Sequence, residues 1–283
     1  MLLHGSANLF ARVGLEALVG SGNWFTQSLR AGTLRSCAYG QVEKNHQRAR
    51  INWLLVLDQS SDSGCLRIID NLAFEAGLHG AKFLLAGVEK DSELFPLLRR
   101  AGFCVYGWER FWRMKPLPRK FAADKLGAWE KPSAEDVHEY NKFRNKQLTP
   151  ALRAIASADG RILPDYILRI DHAIAAYADV KVFGNKAVLY PVLTNDLKDQ
   201  QSILLSLAAQ LPEVIQVRYI SQSGGQDGLE GALENIAEAA AARREQMVKY
   251  FSIVEKVPLG VLNHSSENSH PDPVAPYVHS SKL

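Results

Sequence analysis

The chain has 283 residues, 47% hydrophobic and 22% charged, with a formal net charge of +3. That composition is typical of a soluble globular protein, and the length suits one large domain or two ordinary ones. The charge is too small and too dispersed to suggest nucleic acid or an anionic membrane as a partner, so neither is expected.

Three cysteines, Cys37, Cys65 and Cys104, are widely spaced and form no Cys-x-x-Cys pair. They read as small buried hydrophobes in a reducing cytoplasm rather than as a disulfide framework or a zinc knuckle. No apolar run approaches the ~20 residues needed to span a bilayer. The opening stretch MLLHGSANLFARVG lacks the basic start and clean apolar core of a signal peptide. A cytoplasmic location is therefore expected. Ser281-Lys282-Leu283 has the form of a peroxisomal address and is read as a chance match.

Residues 33–46 carry mixed β-formers and end in a polar turn, and 49–57 (ARINWLLVL) form a dense apolar strand. In the following loop, DQSSDSG, Asp62 or Ser63 can cap a helix over 64–78 with Leu66, Ile69, Leu72 and Ala73 on one face. Gly80 ends that helix, and AKFLLAGV is a buried strand. Asp91 or Ser92 caps a short helix that turns Leu94, Phe95, Leu97 and Leu98 inward. Next comes an aromatic strand, CVYGWERFWRM, with Val105, Trp108 and Phe111 as its inward residues. Pro116, Pro118 and Pro132 then break regular structure.

A similar order follows. Residues 134–157 read as a helix interrupted near Pro150, and 173–183 as a strand ending at a Gly184-Asn185 turn. KAVLYPVLT is the next strand, where Pro191 marks an edge or a bulge. A helix over 199–211, the strand EVIQVRYIS, an Ala-rich helix over 228–242 and a last strand in RREQMVKYFSIV complete the series. Residues 37–57 align on 175–195 without a gap, matching Ala38 with Ala176, Tyr39 with Tyr177, Val42 with Val180 and Leu55 with Leu193. The repeated order of elements indicates a tandem duplication. The expected division is 1–114, a linker at 115–128, 129–258 and a disordered tail over 259–283. Its histidines, His264, His270 and His279, have no matched ligand cluster and are read as solvated, so no metal is expected.

The order of elements, with Leu98-Arg99-Arg100-Ala101-Gly102-Phe103 leading into an aromatic strand, resembles the GNAT superfamily of N-acetyltransferases. The resemblance covers most of the chain. It implies an α/β (α+β) fold of two tandem GNAT-like units, each a mixed, mostly antiparallel sheet flanked by helices. It also implies acetyl-CoA or another acyl-CoA as cofactor and a small-molecule or peptide amine as acceptor. A homodimer would fit the family too. In the first unit, backbone amides near Leu55 and Leu57 would polarise the thioester carbonyl, and Gln59 and Gly64 would match part of the family's phosphate loop.

The loop departs from the family's pattern, because Asp62 stands where a glycine is expected and residues 194–199 contain no glycine at all. Leu98 and Leu233 stand where many relatives have a proton-donating tyrosine. The replacement candidates for catalysis are Tyr106 and Glu89, with Tyr39, Tyr177 and Glu109 behind them, although strand tyrosines more often pack and glutamates are more often solvated. Arg99 and Arg100 complement a helix dipole. Two functions stay open: an acyl-CoA-dependent N-acyltransferase, and a catalytically inactive GNAT-like binding or dimerisation scaffold. A cleft open between strands 52–58 and 82–89 would favour the first, and one plugged by Trp53 or Phe83 the second.

Overall fold

A computed structural model describes residues 24–31, 35–45, 47–56, 62–116, 128–157, 160–194 and 196–251. Leu57, Gln59, most of the expected linker and all of the expected tail lie outside those residues.

The first half runs β1 (Trp24–Ala31), β2 (Arg35–Asn45), β3 (Arg48–Val56), α1 (Asp62–Leu78), β4 (Phe83–Glu89), α2 (Leu94–Arg100) and β5 (Cys104–Met114). The second runs β6 (Trp129–Glu130), α3 (Val137–Gln147), α4 (Pro150–Ser157), β7 (Tyr166–Ile170), β8 (Ala173–Phe183) and β9 (Lys186–Leu193). It continues through α5 (Gln200–Ala209), β10 (Val217–Ser223), α6 (Glu230–Ile236), β11 (Ala237–Ala239) and β12 (Arg244–Tyr250).

Local chemistry accounts for most of these elements. In α1, Cys65, Ile68, Ile69, Leu72, Ala73 and Ala76 recur at helical spacing and are all buried. The helix α2 buries Leu94, Leu97 and Leu98, then stops at Gly102, whose φ of +88° suits glycine best. The turn is closed by the Phe103 amide donating to the Leu98 carbonyl (3.0 Å) and by Arg99 donating to the Phe103 carbonyl (3.2 Å). Phe103 is thereby driven into the core at 1% exposure, a burial worth about 1.5–3 kcal/mol. Phe183 pairs with Lys186 across a two-residue turn at Gly184-Asn185, with Gly184 at φ +59°.

All twelve strands join one sheet in the order β1-β2-β3-β4-β12-β5-β10-β9-β8-β7-β6, with β11 also on β5. The two halves exchange their closing strands. The last strand of the second half, β12, lies between β4 and β5, both from the first half, and pairs antiparallel with each. In return β5 pairs antiparallel with β10 of the second half. The registers correspond: Phe83 faces Tyr250 across β4–β12, and Tyr219 faces Arg113 across β10–β5. A pseudo-twofold axis therefore passes between β5 and β12. On one face α1 and α2 cover a core around Leu72, Leu84 and Met247, while α5 and α6 cover one around Leu189, Ile203 and Ile220. The opposite face carries Ile155 of α4 against Phe83, Leu85 and Val248, and Tyr140 and Phe143 of α3 against Ile167 and Tyr177.

The structure corrects several expectations. A strand ahead of the first one read from the sequence, β1, pairs antiparallel with β2. The five-residue β7, unread in the sequence, pairs with β8. In β5 the inward residues are Trp112 and Met114, whereas Val105 is 42% exposed and Phe111 only half-buried. A register shift opposite Gln246/Met247 breaks the simple alternation there. The Ala-rich helix stops at Ile236 instead of 242, because Ala237–Ala239 pair with β5 and that ladder overrides alanine's helix propensity.

Candidate functional site

The sheet has two places where a parallel pair of strands separates, one in each half, and they differ. In the first half β3 and β4 pair in parallel only over Arg48–Arg50 and Phe83–Leu85. Beyond that, β3 has a bulge at Asn52, since Val42 faces Ile51 and Gln41 faces Trp53 with Asn52 left over. Past Arg50, β3 has no register partner in β4. Gly87, on the diverging part of β4, faces Gln246 of β12; a β-carbon on Gly87 would stand 3.1 Å from the Gln246 Nε2. Phe83 is buried at the paired end, in the cluster with Leu85 and Val248, and so does not plug the split. The side chains of Trp53 and Leu55 lie outside the described set.

In the second half β9 and β10 pair in parallel over Lys186–Leu189 and Val217–Ile220, and β9 has no bulge. Pro191 lies just past the last β10 partner, so its missing N–H costs no ladder bond there. Neither of the two expected settings for this proline, an edge or a bulge, is found: β9 lies between β10 and β8 without a bulge, and Pro191 pairs with Ala178 of β8 just where the β10 ladder has ended. The separation is filled. Gln226, 6% exposed, donates from Nε2 to the Pro191 carbonyl (2.9 Å). The Gln226 carbonyl accepts from the Gln222 Nε2 (3.3 Å), and the Gln222 Oε1 accepts from the Trp112 indole N–H (2.9 Å). At the start of α5, Asp199 caps the helix, accepting from the Ser202 amide (3.2 Å), so a carboxylate already occupies that helix end.

Between the two splits, on the face opposite α1 and α5, lies a polar chain built from both halves. The Tyr106 hydroxyl donates to the Gln246 Oε1 (3.5 Å), the Gln246 Nε2 donates to the Glu109 Oε2 (3.0 Å), and the Ser221 hydroxyl donates to the Glu109 Oε1 (2.7 Å). Burial raises the Tyr106 pKa above the ordinary 10.0; Arg50 and Arg48 oppose that rise and Glu109 adds to it. The same Glu109, Arg48 and Arg50 act on Tyr190 of β9, whose pKa is pushed up to about 12, chiefly by burial. Tyrosines from different halves thus share one electrostatic environment.

Beside Gly87 a cavity of about 500 Å³ opens at the end of β4, lined by Glu89, Asp91, Glu93, Leu94 and Arg244 among others. Glu89 is exposed there, and register sets it on the same sheet face as Gln246. Tyr106 is joined to Gln246 rather than to Glu89. Gly64 is buried in the first turn of α1. Sequence reasoning named Tyr106, Glu89 and Glu109 but missed Gln246, Ser221 and Gln226. Their partners lie far away in sequence, and only the strand exchange brings them together. Among the described residues no group of three metal-ligating side chains is clustered, and no helix is long and apolar enough to cross a membrane.

No family model matches this sequence, and no curated protein does. Solved structures do match. A GCN5-related N-acetyltransferase from Kribbella flavida is 14% identical over 88% of this chain and 98% of its own, with a TM-score of 0.50. A conserved protein from Staphylococcus epidermidis is 10% identical over 72% and 84%, with a TM-score of 0.49. A tandem GNAT protein from the clavulanic acid biosynthesis pathway is 13% identical over 82% and 84%, with a TM-score of 0.44. At such identities the likeness speaks of fold, and the fold is that of the GNAT N-acetyltransferases.

Proposed function

We propose that the chain is an acyl-CoA-dependent N-acyltransferase with one working cleft, the β3–β4 split of the first half, and a small-molecule or peptide amine as acceptor. The observation that carries this reading is the contrast between the splits. The first has a strand bulge, a glycine and an adjoining cavity, while the second is closed by Gln226 and Pro191. A narrow thioester arm fits the former and is excluded from the latter.

The fit to the cofactor follows the same division. In the first half Leu55 lies on β3 past the bulge, and Gly64 lies in the first turn of α1, where helix amides favour anions. These residues, with Leu57 and Gln59, would hold acetyl-CoA or another acyl-CoA. In the second half the Asp199 carboxylate and the Gln226 side chain oppose it. When bound, the cofactor supplies an activated acyl group. The protein supplies polarising amides along β3. Tyr106 keeps its proton at Oη, because burial disfavours the phenolate, so it serves as a proton donor and not as a base. Gln246 orients that hydroxyl, and Glu109 fixes Gln246. Glu89, exposed at the cavity, is the carboxylate able to take a proton from an ammonium.

Isothermal titration of the full chain with acetyl-CoA tests the reading. One equivalent bound in the micromolar range supports it. No heat at millimolar cofactor overturns it and leaves the alternative, a catalytically inactive GNAT-like scaffold. For the second half taken alone, the filled split already favours a scaffold role, since that half supplies β12 to the first.

A further inference from the structure

We propose that the acceptor of this transfer is an aromatic amino acid, held on the sheet face opposite α1 and α5 by Glu109, Arg50 and the rings of Phe111, Tyr219 and Tyr190. Calling the ligand an acceptor rests on the acyl-transfer reading; its binding does not. Alternation fixes the face. Trp112, Ile220 and Leu189 point into the core covered by α5 and α6, so their neighbours Phe111, Ser221, Tyr219 and Tyr190 point the other way. Ala49 and Ile51 lie in the core covered by α1 and α2, which puts Arg50, between them, on that same opposite face. Glu109, two residues before Phe111, joins them there and accepts from Ser221.

Among the described residues, helices cover the two ends of this face: α4 packs on Phe83, Leu85 and Val248, and α3 on Ile167 and Tyr177. Between them Phe111, Tyr219 and Tyr190 are half-buried and belong to none of the buried clusters. They surround Ser221. Phe111 is its register partner on β5, Tyr219 lies two residues back along β10, and Tyr190 follows the last β10–β9 pair, Ile220 with Leu189. Among the described residues neither Phe111 nor Tyr219 stacks on another ring or a cation, while Lys181 stands 5.6 Å from the Tyr190 ring. Neighbouring half-buried rings suit a flat apolar group.

The charges suit a zwitterion. Glu109 takes its hydrogen bonds from neutral groups, the Ser221 hydroxyl (2.7 Å) and the Gln246 Nε2 (3.0 Å), and forms no ion pair among the described residues. Its register partner Arg244 lines the cavity beside Gly87 instead. A carboxylate so held keeps lone pairs for an ammonium. Arg50 is exposed and forms no hydrogen bond or ion pair among the described residues. It stands at the last parallel pair before the β3–β4 split, opposite Leu85. Both charges act on the Tyr106 and Tyr190 hydroxyls, in keeping with one shared stretch of the face. Across the sheet the order is Arg50 on β3, Glu109 on β5, then Tyr219 on β10 and Tyr190 on β9. That order matches the carboxylate, ammonium and side chain of an amino acid. Glu109 reaches the acyl cleft through Gln246, which faces Gly87 on the diverging part of β4.

The test is isothermal titration of the full chain with L-phenylalanine, with and without coenzyme A present. Saturable binding is expected in at least one titration, about tenfold or more tighter than for L-alanine, 2-phenylethylamine or 3-phenylpropionate, which lack the ring, the carboxylate and the ammonium in turn. Glu109→Gln should weaken phenylalanine about tenfold or more and leave 3-phenylpropionate unchanged. The exposed change Arg50→Gln should weaken phenylalanine and leave 2-phenylethylamine unchanged, and it carries the test if Glu109→Gln misfolds. No saturable heat, equal affinity for all these ligands, or variants that weaken every ligand alike overturn the proposal. Titration with acetyl-CoA separates the two readings. Acetyl-CoA binding without phenylalanine binding overturns this proposal alone, and phenylalanine binding without acetyl-CoA binding upholds the amino-acid site and overturns the transfer.

Discussion

Glu109 and Gln246 occupy equivalent positions on the two exchanged strands, and they are hydrogen-bonded to each other at 3.0 Å across the pseudo-twofold axis. One faces Ser223 of β10 and the other Gly87 of β4, which are themselves equivalent positions. Two glutamates this close would repel each other, and two glutamines would leave the Ser221 hydroxyl without its carboxylate acceptor. A Glu–Gln pair removes the repulsion and keeps both hydrogen bonds.

Replacing Gln246 with leucine should therefore cost roughly 1–3 kcal/mol, since it strips an acceptor from Tyr106 and a donor from half-buried Glu109. Thermal unfolding followed by circular dichroism should show a drop of several degrees. An unchanged midpoint would mean that the pair contributes nothing to holding the halves together.

Tyr106→Phe removes one oxygen and little volume. If Tyr106 is the proton donor of an acyl transfer, kcat should fall about 10²-fold or more while the KM for acetyl-CoA stays near the wild-type value. Because burial raises its pKa above 10.0, the wild-type hydroxyl stays protonated through the neutral range, and no loss of rate from its ionisation should appear below that value. Full turnover in the variant would leave Tyr106 a packing residue.

Gln226→Ala tests the closed split. It removes a buried bond to the Pro191 carbonyl and leaves an acceptor unpaired, at about 1–3 kcal/mol. Acetyl-CoA stoichiometry should remain one, because Pro191 and Asp199 still oppose the cofactor. A second equivalent appearing in the titration would show that Gln226 alone blocks this half.

The sequence made the fold legible where periodicity is local. The helices α1 and α2, the β8–β9 hairpin and the GNAT-like order all follow from spacing, caps and glycines. What stayed hidden depends on distant pairing. Residues 237–239 read as helix until β5 claims them, and the three-residue spacing of Val105, Trp108 and Phe111 does not follow a strand's alternation, which turns Trp112 and Met114 inward. Of the candidate site, Tyr106 was visible as an aromatic on a strand. Glu109 was visible as a strand glutamate, but its pairing with Gln246 and Ser221 was not, because nothing in either half alone signals that β12 lies between β4 and β5.

On the α3 side, Arg169 of β7 ties three segments together, contacting Glu130 at 3.0 Å, Glu139 at 2.6 Å and Asp136. The Asp136 pKa lies below its ordinary 3.8, mainly through hydrogen bonds from Ser133 with Arg169 adding to them. For Glu139, burial pushes upward, but bonds from Arg169 and the Ile174 amide outweigh it and the pKa falls below 4.5. Carboxylates with lowered folded pKa values stabilise the fold above their unfolded values, and that contribution is lost as pH falls through the lowered ones. The thermal midpoint should therefore drop between neutral pH and about pH 3 by more in the wild type than in Arg169→Met. Parallel curves would show that solvent screening leaves the cluster without effect.

The exchange of strands makes the sharpest demand on the whole chain. β12 brings Met247 at 0% and Val248 at 2% exposure into cores of the first half, and it pairs with β4 along its full length from Arg244 to Tyr250. A chain ending at Ala242 would leave β4 and β5 as unpaired edges with an apolar gap between them, in a half that otherwise retains every helix it owns. Burying two such side chains is worth about 3–6 kcal/mol, comparable to the entire stability of many domains. The shortened chain should lose its near-ultraviolet circular dichroism and its cooperative melt, or aggregate through the exposed edges. A synthetic peptide of residues 243–252 added during refolding should restore the signal. A shortened chain that melted cooperatively by itself, with native near-ultraviolet ellipticity, would mean that the first half is a self-sufficient unit and that β12 only decorates it.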